Sequence, residues 1–194
     1  GPFKHAKWIW HRQGEPAITA PPGHRFFRRL LVLDAERGIA SARMAMTADN
    51  AFELWVNGQR AGAGEEASQA FRMDVTRWLK PGTNMLAVDG FNAHDYPNPA
   101  GLIGALQIQF HDGGTLEVDT DGQWESAVTA AGHWQVEMNR EGWIAAMELG
   151  PLGTEPFPMP EQSKPPVYVF PDYGAVTNVL ARMGVPPDFD ADAS

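Results

Sequence analysis

The chain has 194 residues, of which 43% are hydrophobic and 20% are charged, as is usual for a globular domain. Its formal net charge of −9 argues against a nucleic-acid backbone as partner, because such binding requires a basic face, and it is compatible with neutral or cationic ligands and with acidic metal sites. Because there are no cysteines, disulfide bonds, thiolate zinc sites and cysteine nucleophiles are also excluded. The sequence contains no apolar run of about 18 residues, so no transmembrane helix is predicted.

Short segments typical of β-strands dominate the first 150 residues. In the segment 51–56, Phe52, Leu54 and Val56 share one face, and Asn57-Gly58 follows as a strong hairpin signal. Helical periodicity is absent, apart from one helical turn predicted between residues 74 and 84. The pattern predicts an all-β sandwich or jelly roll, with strands at 26–33, 40–46, 51–56, 71–75, 84–91, 102–110, 115–119, 124–128 and 143–149.

The composition changes after Leu149 and divides the chain into two parts. We predict a β-sandwich over 3–150, followed by a proline-rich segment over 151–194 that contains one helix at 173–183. Two interpretations of 151–194 stay open: an extension that packs on the sandwich, or the start of a further domain. We interpret the chain as part of a longer protein.

No motif of a known catalytic site is present. The sequence lacks a nucleophile elbow, a zinc-protease helix, a P-loop and a dinucleotide-binding fingerprint, and the six histidines have no metal-ligand spacing. Glu65-Glu66 lies in a loop rich in glycine and alanine, where carboxylates are usually solvated charges. Trp8 and Trp10 flank Ile9, which predicts a strand with one buried face and one face that leans toward solvent.

The strand at 51–56 is entered through an acid and an amide, Asp49-Asn50. Both side chains are good turn formers, because each can bond the local backbone. Both are also oxygen ligands of the kind that Ca²⁺ prefers. From these residues alone, the turn and the metal site both remain open.

Several motifs, taken in their order along the chain, carry a resemblance to known proteins. The runs "WIW", "FFRRLLVL", "MTADNAFELWVNG", "FRMDVTRWLKPGTNMLAVDGFN", "AGLIGALQIQF" and "DTDGQWESA" occur in this order. Over roughly residues 7–157 the sequence resembles the galactose-binding-like β-sandwich modules of bacterial α-L-rhamnosidases, especially the family-67 carbohydrate-binding modules, which bind L-rhamnose. The resemblance implies a calcium-dependent sugar-binding module of a secreted or periplasmic glycoside hydrolase.

The resemblance also implies the residues of the site. The acid-amide pair corresponds to Asp49 and Asn50, the asparagine that ends a later strand to Asn92, and the carbonyl five residues on to Pro97; these four would hold Ca²⁺. The loop between Asn92 and Pro99 carries the further candidates for sugar contacts. Tyr96 would stack on the sugar, His94 or Asp95 would accept from hydroxyls, Asn98 could replace Asn92 as a ligand, and Trp55 and Trp10 are weaker candidates for the rim.

Three hypotheses of function follow. The first is a non-catalytic module that binds a terminal sugar through Ca²⁺, and the second is a structural accessory domain of a large glycoside hydrolase, with no ligand of its own. The third, ranked below them, is a hydrolase or lyase that acts without a further domain. A 92–99 loop collapsed on the sandwich with its acids paired internally would favour the structural domain.

Overall fold

The computed structural model describes residues 1–160 of the chain. Within this range the backbone forms twelve β-strands, a short helix α1 at Pro16–Thr19 and a 3-10 turn at Thr76–Trp78. The strands are β1 Lys7–Trp10, β2 Gly23–Leu33, β3 Ile39–Asp49, β4 Ala51–Val56, β5 Gln59–Glu65, β6 Phe71–Asp74, β7 Gly82–Asn92, β8 Gly101–Phe110, β9 Thr115–Asp119, β10 Glu125–Ala127, β11 Ile144–Ala145 and β12 Met147–Pro151.

The strands form two antiparallel sheets that pack face to face. The first sheet has the order β12-β1-β8-β3-β6, with β9 also paired to β8, and the second has the order β11-β10-β2-β7-β4-β5. The predicted all-β sandwich is therefore confirmed. The loops that follow β3 and β7 come together at one end of the sandwich, and this is where the candidate site lies.

The strand β4 shows how the sequence pattern builds the core. Phe52, Leu54 and Val56 are buried, with exposed fractions of 3%, 0% and 0%, while Glu53 and Trp55 alternate with them on the outer face. Burial of one such apolar side chain stabilises the fold by about 1.5–3 kcal/mol. The predicted alternation of this strand is confirmed.

Two elements were not predicted. The segment rich in glycine and alanine, taken above as a loop, forms β5, because the Asn57-Gly58 turn pairs it with β4. The glycines of β5 allow close packing, since a Cβ at Gly64 would lie too close to the Phe71 ring. The helix at Pro16–Thr19 has four residues, which is too short to produce a periodic pattern.

The prediction that β1 has one solvent-leaning face is wrong. Trp8, Ile9 and Trp10 are all buried, with exposed fractions of 0%, 0% and 1%. The reason is that β1 lies between β12 and β8, and Phe157 stacks on Trp8 with ring centroids 4.4 Å apart. Phe157 is itself buried, so the chain packs on the sandwich as far as this residue.

The helix predicted at 173–183 lies outside the described residues. Across the part of the chain that the structure describes, no helix is long and apolar enough to cross a membrane.

Candidate functional site

Asn50 joins three chain segments at one end of the sandwich. Its backbone N–H donates to the carbonyl of Phe91 at 2.9 Å, and its backbone carbonyl accepts from the N–H of Glu66 at 3.0 Å. Its side-chain Oδ1 accepts from the N–H of Ala93 at 2.7 Å. The loop after β7 therefore folds over to meet the Asp49-Asn50 corner, as the proposed metal site requires.

Asn92, the last residue of β7, is buried with an exposed fraction of 0%. Its Nδ2 donates to the carbonyls of Ala20 at 3.1 Å, Pro21 at 3.2 Å and Asn98 at 3.3 Å, which fixes the orientation of the amide. Its Oδ1 is buried and has no hydrogen-bond partner among residues 1–160. A buried acceptor without a partner destabilises the folded state by about 1–3 kcal/mol. A water molecule, an ion or a ligand bound to this oxygen would remove that cost.

Asp49 supplies the negative charge at the same place. Burial raises the pKa of its half-buried carboxyl, and the nearby charge of His94 opposes that rise. Within residues 1–160 its carboxylate forms neither a side-chain hydrogen bond nor an ion pair. Asp49 directly precedes Asn50, and Asn92 lies between Phe91 and Ala93, two of the residues that Asn50 bonds. Both residues therefore belong to the corner, and the Oδ1 of Asn92 has no donor among the described residues.

The loop after Asn92 is held in shape by its own side chains. Asn98 Nδ2 donates to the carbonyls of Ala93 and Tyr96, both at 2.9 Å, and the Asn98 backbone pairs with Ala20. His94 has a positive φ of 79° and stacks on Tyr96, with ring centroids 5.1 Å apart. The Tyr96 side chain is 56% exposed, so an aromatic face is open to solvent beside the corner.

Most of the predicted site residues lie at this corner, but both tryptophans lie elsewhere. His94, Asp95, Tyr96 and Pro97 are exposed in the loop that contacts Asn50. Trp10 is buried against Phe27 in the core, at a centroid distance of 5.2 Å. Trp55 lies five residues along β4 from Asn50, roughly 16 Å away by strand rise, and packs on Trp134. Neither ring is placed to form the rim.

The corner contains carboxylate, amide and backbone oxygens, which are ligand types that calcium takes. Among residues 1–160 no three histidine, aspartate or glutamate side chains cluster as a metal site, so amide and backbone oxygens would have to supply most ligands. Calcium accepts such mixed oxygen sets. The carboxylate of Asp49 and the Oδ1 of Asn92 lack donors, and the Oδ1 of Asn50, although bonded to Ala93, keeps a second lone pair.

The chain is similar to known proteins over most of its length. It is 31% identical over 160 residues to an α-L-rhamnosidase of Streptomyces avermitilis. The alignment covers 78% of this chain and 15% of that protein. The crystal structure of S. avermitilis α-L-rhamnosidase complexed with L-rhamnose matches with a TM-score of 0.73 and 29% identity, over 81% of this chain and 16% of that one. This chain is homologous to part of an α-L-rhamnosidase.

A lectin shares the same fold. The crystal structure of the Pleurotus ostreatus lectin in complex with GalNAc matches with a TM-score of 0.74 and 25% identity, over 81% of this chain and 47% of that one. No protein-family model matches the chain. The resemblance to β-sandwich modules of bacterial α-L-rhamnosidases is confirmed, as is the galactose-binding-like sandwich. The chain spans only 15% of the length of the rhamnosidase that it matches.

One polar cluster was missed by sequence reasoning. Arg28, on the outer face of β2, is buried and donates to the carbonyls of Trp134 at 3.4 Å, Glu137 at 2.5 Å and Asn139 at 2.8 Å. Its guanidinium lies 3.8 Å from the centroid of the Trp143 ring. These contacts fix the segment between β10 and β11 across the second sheet. The available signal was an arginine at an outer-face position of β2, two residues after Phe26.

Proposed function

We propose that the chain is a non-catalytic carbohydrate-binding module of a glycoside hydrolase. It holds a terminal sugar, L-rhamnose or one similar to it, through Ca²⁺ at the Asp49-Asn50 corner, and it tethers the attached enzyme to polysaccharide outside the cell or in a bacterial periplasm. The observation that carries the proposal is the buried Oδ1 of Asn92, which has no partner among residues 1–160, at the corner to which the half-buried Asp49 also belongs.

Each residue of the corner has a role in this proposal. Asp49, Asn50 and Asn92 hold the calcium ion through side-chain oxygens, and Pro97 contributes its carbonyl. The ion supplies a charge that attracts the oxygens of two neighbouring sugar hydroxyls, which complete its coordination. The burial that raises the pKa of Asp49 favours a cation there, because a bound cation stabilises the charged carboxylate.

The loop after β7 supplies the sugar contacts. The exposed ring of Tyr96, stacked on His94, offers its face to the apolar side of the sugar. His94 and Asp95, both exposed, accept from hydroxyls, and Asn98 holds the loop in shape through the bonds of its Nδ2 to Ala93 and Tyr96, which leaves its Oδ1 as an alternative ligand.

The relatives support binding of a sugar by this fold. The S. avermitilis enzyme was solved in complex with L-rhamnose and the P. ostreatus lectin in complex with GalNAc. This chain aligns with 16% of the former and 47% of the latter, which is a domain-sized part of each.

A structural accessory domain is the second candidate, and one observation favours it. Asn50 Oδ1 and Asn98 Nδ2 are both used to hold the loop, as in a domain that binds nothing. However, Asp49 and Asp95 form no ion pair among residues 1–160, so the acids of the corner are not paired internally.

One pair of side chains resembles part of a hydrolytic site, but its burial argues against a hydrolytic role. His11 Nδ1 lies 2.9 Å from Ser126 Oγ, the arrangement of a nucleophile and its base. Ser126 is 0% exposed and His11 is 8% exposed, so substrate has no access to this hydroxyl. Burial, and next the charge of Arg25, lower the pKa of His11, which is consistent with a neutral core histidine.

Calorimetric titration of L-rhamnose tests the proposal. We expect binding in CaCl₂, and a loss of affinity of about tenfold or more in EDTA. The variant Asp49→Asn should bind weakly under both conditions, because a neutral amide replaces the one carboxylate. Asp119→Asn, the same change at another half-buried aspartate, should bind as the wild type does. Absence of heat under both conditions would refute sugar binding, and equal affinities would refute the role of calcium.

A further inference from the structure

A groove of about 260 Å³ lies on the outer face of the second sheet. We call it the sheet groove, and its principal lining residues are His24, Glu53, Arg60, Asp89 and Phe91. Sequence reasoning did not identify it, because its residues come from four strands and meet only through the register of those strands. Its volume is slightly below the range of about 300–1,000 Å³ that is usual for drug-sized ligands, which suits a single sugar unit.

Two alanines produce the depression in the sheet surface. Ala51 on β4 stands between Phe91 of β7 and Glu65 of β5 in the strand register. Ala63 on β5 pairs with Glu53, whose other neighbour in the register is Asp89. Since the side chains around them are larger, the two alanines form the floor and the neighbours form the walls.

The side chains that form the walls include carboxylates that can accept further hydrogen bonds. His24 Nδ1 lies 2.7 Å from Asp89 Oδ1, and Arg60 Nε donates to Glu53 Oε2 at 3.0 Å. The second oxygen of each carboxylate has no donor among residues 1–160. A sugar hydroxyl can donate to such an oxygen and accept from a neighbouring guanidinium or imidazole. The lining contains three acids, Glu53, Glu65 and Asp89, and two bases, His24 and Arg60, which disfavours an anionic ligand and is compatible with a neutral one.

The sheet groove also has an apolar wall, and it begins at the start of β4 and the end of β7, where the candidate calcium site also lies. The Phe91 ring is 37% exposed and packs 4.7 Å from the His24 ring, which leaves aromatic surface for the apolar side of a pyranose. Phe91 directly precedes Asn92, and Ala51 directly follows Asn50. Successive strand residues point to opposite faces, so a glycan anchored at the corner would pass around this end of the sheet to reach the groove.

We infer that the sheet groove is a second sugar subsite, which takes the neutral sugar unit linked to the terminal sugar at the corner. This inference rests on the proposed function, because the calcium corner fixes the end of the glycan. The carboxylates of Asp89 and Glu53 accept hydrogen bonds from the hydroxyl groups of this unit, and Phe91 covers its apolar side.

Calorimetry with two sugars tests the inference. We expect a rhamnosyl-glucose disaccharide, with L-rhamnose at its non-reducing end, to bind the wild type about tenfold more tightly than L-rhamnose does. Ala63→Leu fills the floor of the groove and should abolish this advantage while leaving the affinity for L-rhamnose unchanged. Asp89→Asn, which keeps the shape of the groove, should reduce the advantage. Ala40→Leu, at an exposed alanine of the other sheet, is the matched control and should preserve it.

NMR separates failure of the inference from failure of the proposed function. With the disaccharide, we expect shifts of the backbone amide signals of Ala93 and Asn98 at the corner and of Glu53 and Ala63 in the groove; L-rhamnose should shift only the corner signals. Shifts at the corner alone with both sugars would overturn the second subsite and leave the proposed function standing. Shifts in the groove alone would support the groove and overturn the calcium corner, and no shift at either place would overturn both.

Discussion

Two buried asparagines on the strand β7 differ in how completely their side-chain amides are hydrogen-bonded. Asn84 and Asn92 are both 0% exposed, and they lie an even number of residues apart, so they face the same side of the strand. They differ in what surrounds them, because one lies near the start of β7 and the other at its end, beside the Asp49-Asn50 corner.

Asn84 is satisfied on both sides of its amide. Its Oδ1 accepts from Asn57 Nδ2 at 2.8 Å and from the N–H of Lys80 at 2.9 Å. Its Nδ2 donates to the carbonyls of Lys80 at 2.7 Å and Gly82 at 3.0 Å. Asn92 is satisfied only at Nδ2, through longer bonds. A fully bonded amide fits a structural role, whereas a half-bonded one leaves an atom for a ligand.

The largest expected effect is on the free energy of unfolding, and it tests the difference between Asn84 and Asn92. Asn84→Ala removes four short hydrogen bonds and leaves their partners unpaired, so we expect the free energy of unfolding in EDTA to fall by about 3 kcal/mol. Asn92→Ala removes three longer bonds together with an unsatisfied acceptor, and should cost about 1 kcal/mol. Urea denaturation of both variants measures the difference. Equal losses would show that Asn92 is as structural as Asn84.

The second prediction concerns stabilisation by calcium. At a calcium concentration of about 100 times the dissociation constant, the wild type should gain about 2.7 kcal/mol in the free energy of unfolding relative to EDTA. Asp49→Asn should lose this gain. In EDTA the variant should be at least as stable as the wild type at pH 7, because it no longer buries a charge whose pKa burial raises.

Asp119→Asn is the control for that experiment, since Asp119 is also a half-buried aspartate. It should keep the full calcium gain. If the gain disappears in Asp119→Asn and persists in Asp49→Asn, calcium binds near β9 and the assignment of the ion to the corner is wrong.

The sandwich could be predicted from the sequence because its strands carry their own signals. Alternation in β4 and the Asn57-Gly58 turn are local features, and the structure follows them. The strand β5 could not be predicted, because it is formed by pairing with β4 and not by its own residues. Trp10 was misplaced for a similar reason: whether a strand has one or two covered faces depends on its neighbours in the fold.

Part of the candidate site could likewise be predicted from the sequence, and part could not. Asp49, Asn50 and Asn92 were found through a resemblance, and the structure brings them to one corner. The state of the Asn92 amide could not be predicted, since it depends on the carbonyls of Ala20 and Pro21, which are 72 and 71 residues away in sequence. The sheet groove was equally invisible, because it depends on cross-strand register.

The smallest expected effect comes from Asp119, the last residue of β9. Its Oδ1 is buried without a partner among residues 1–160, as is that of Asn92, but its neighbours are acidic. Burial, and next the carboxylate of Glu117, raise the pKa of Asp119 to about 6 from 3.8. The folded state therefore binds more protons than the unfolded state between these values, and the free energy of unfolding should fall as the pH rises through about 4 to 6.

Asp119→Asn should flatten this dependence and be more stable than the wild type at pH 7, as measured by urea denaturation at several pH values in EDTA. A fall that persists in the variant would assign the pH dependence to another carboxylate, with Asp49 the first candidate, because burial raises its pKa too. Calcium distinguishes the two. An ion bound at the corner keeps Asp49 charged throughout this range, so it should suppress a fall that comes from Asp49 and leave unchanged one that comes from Asp119.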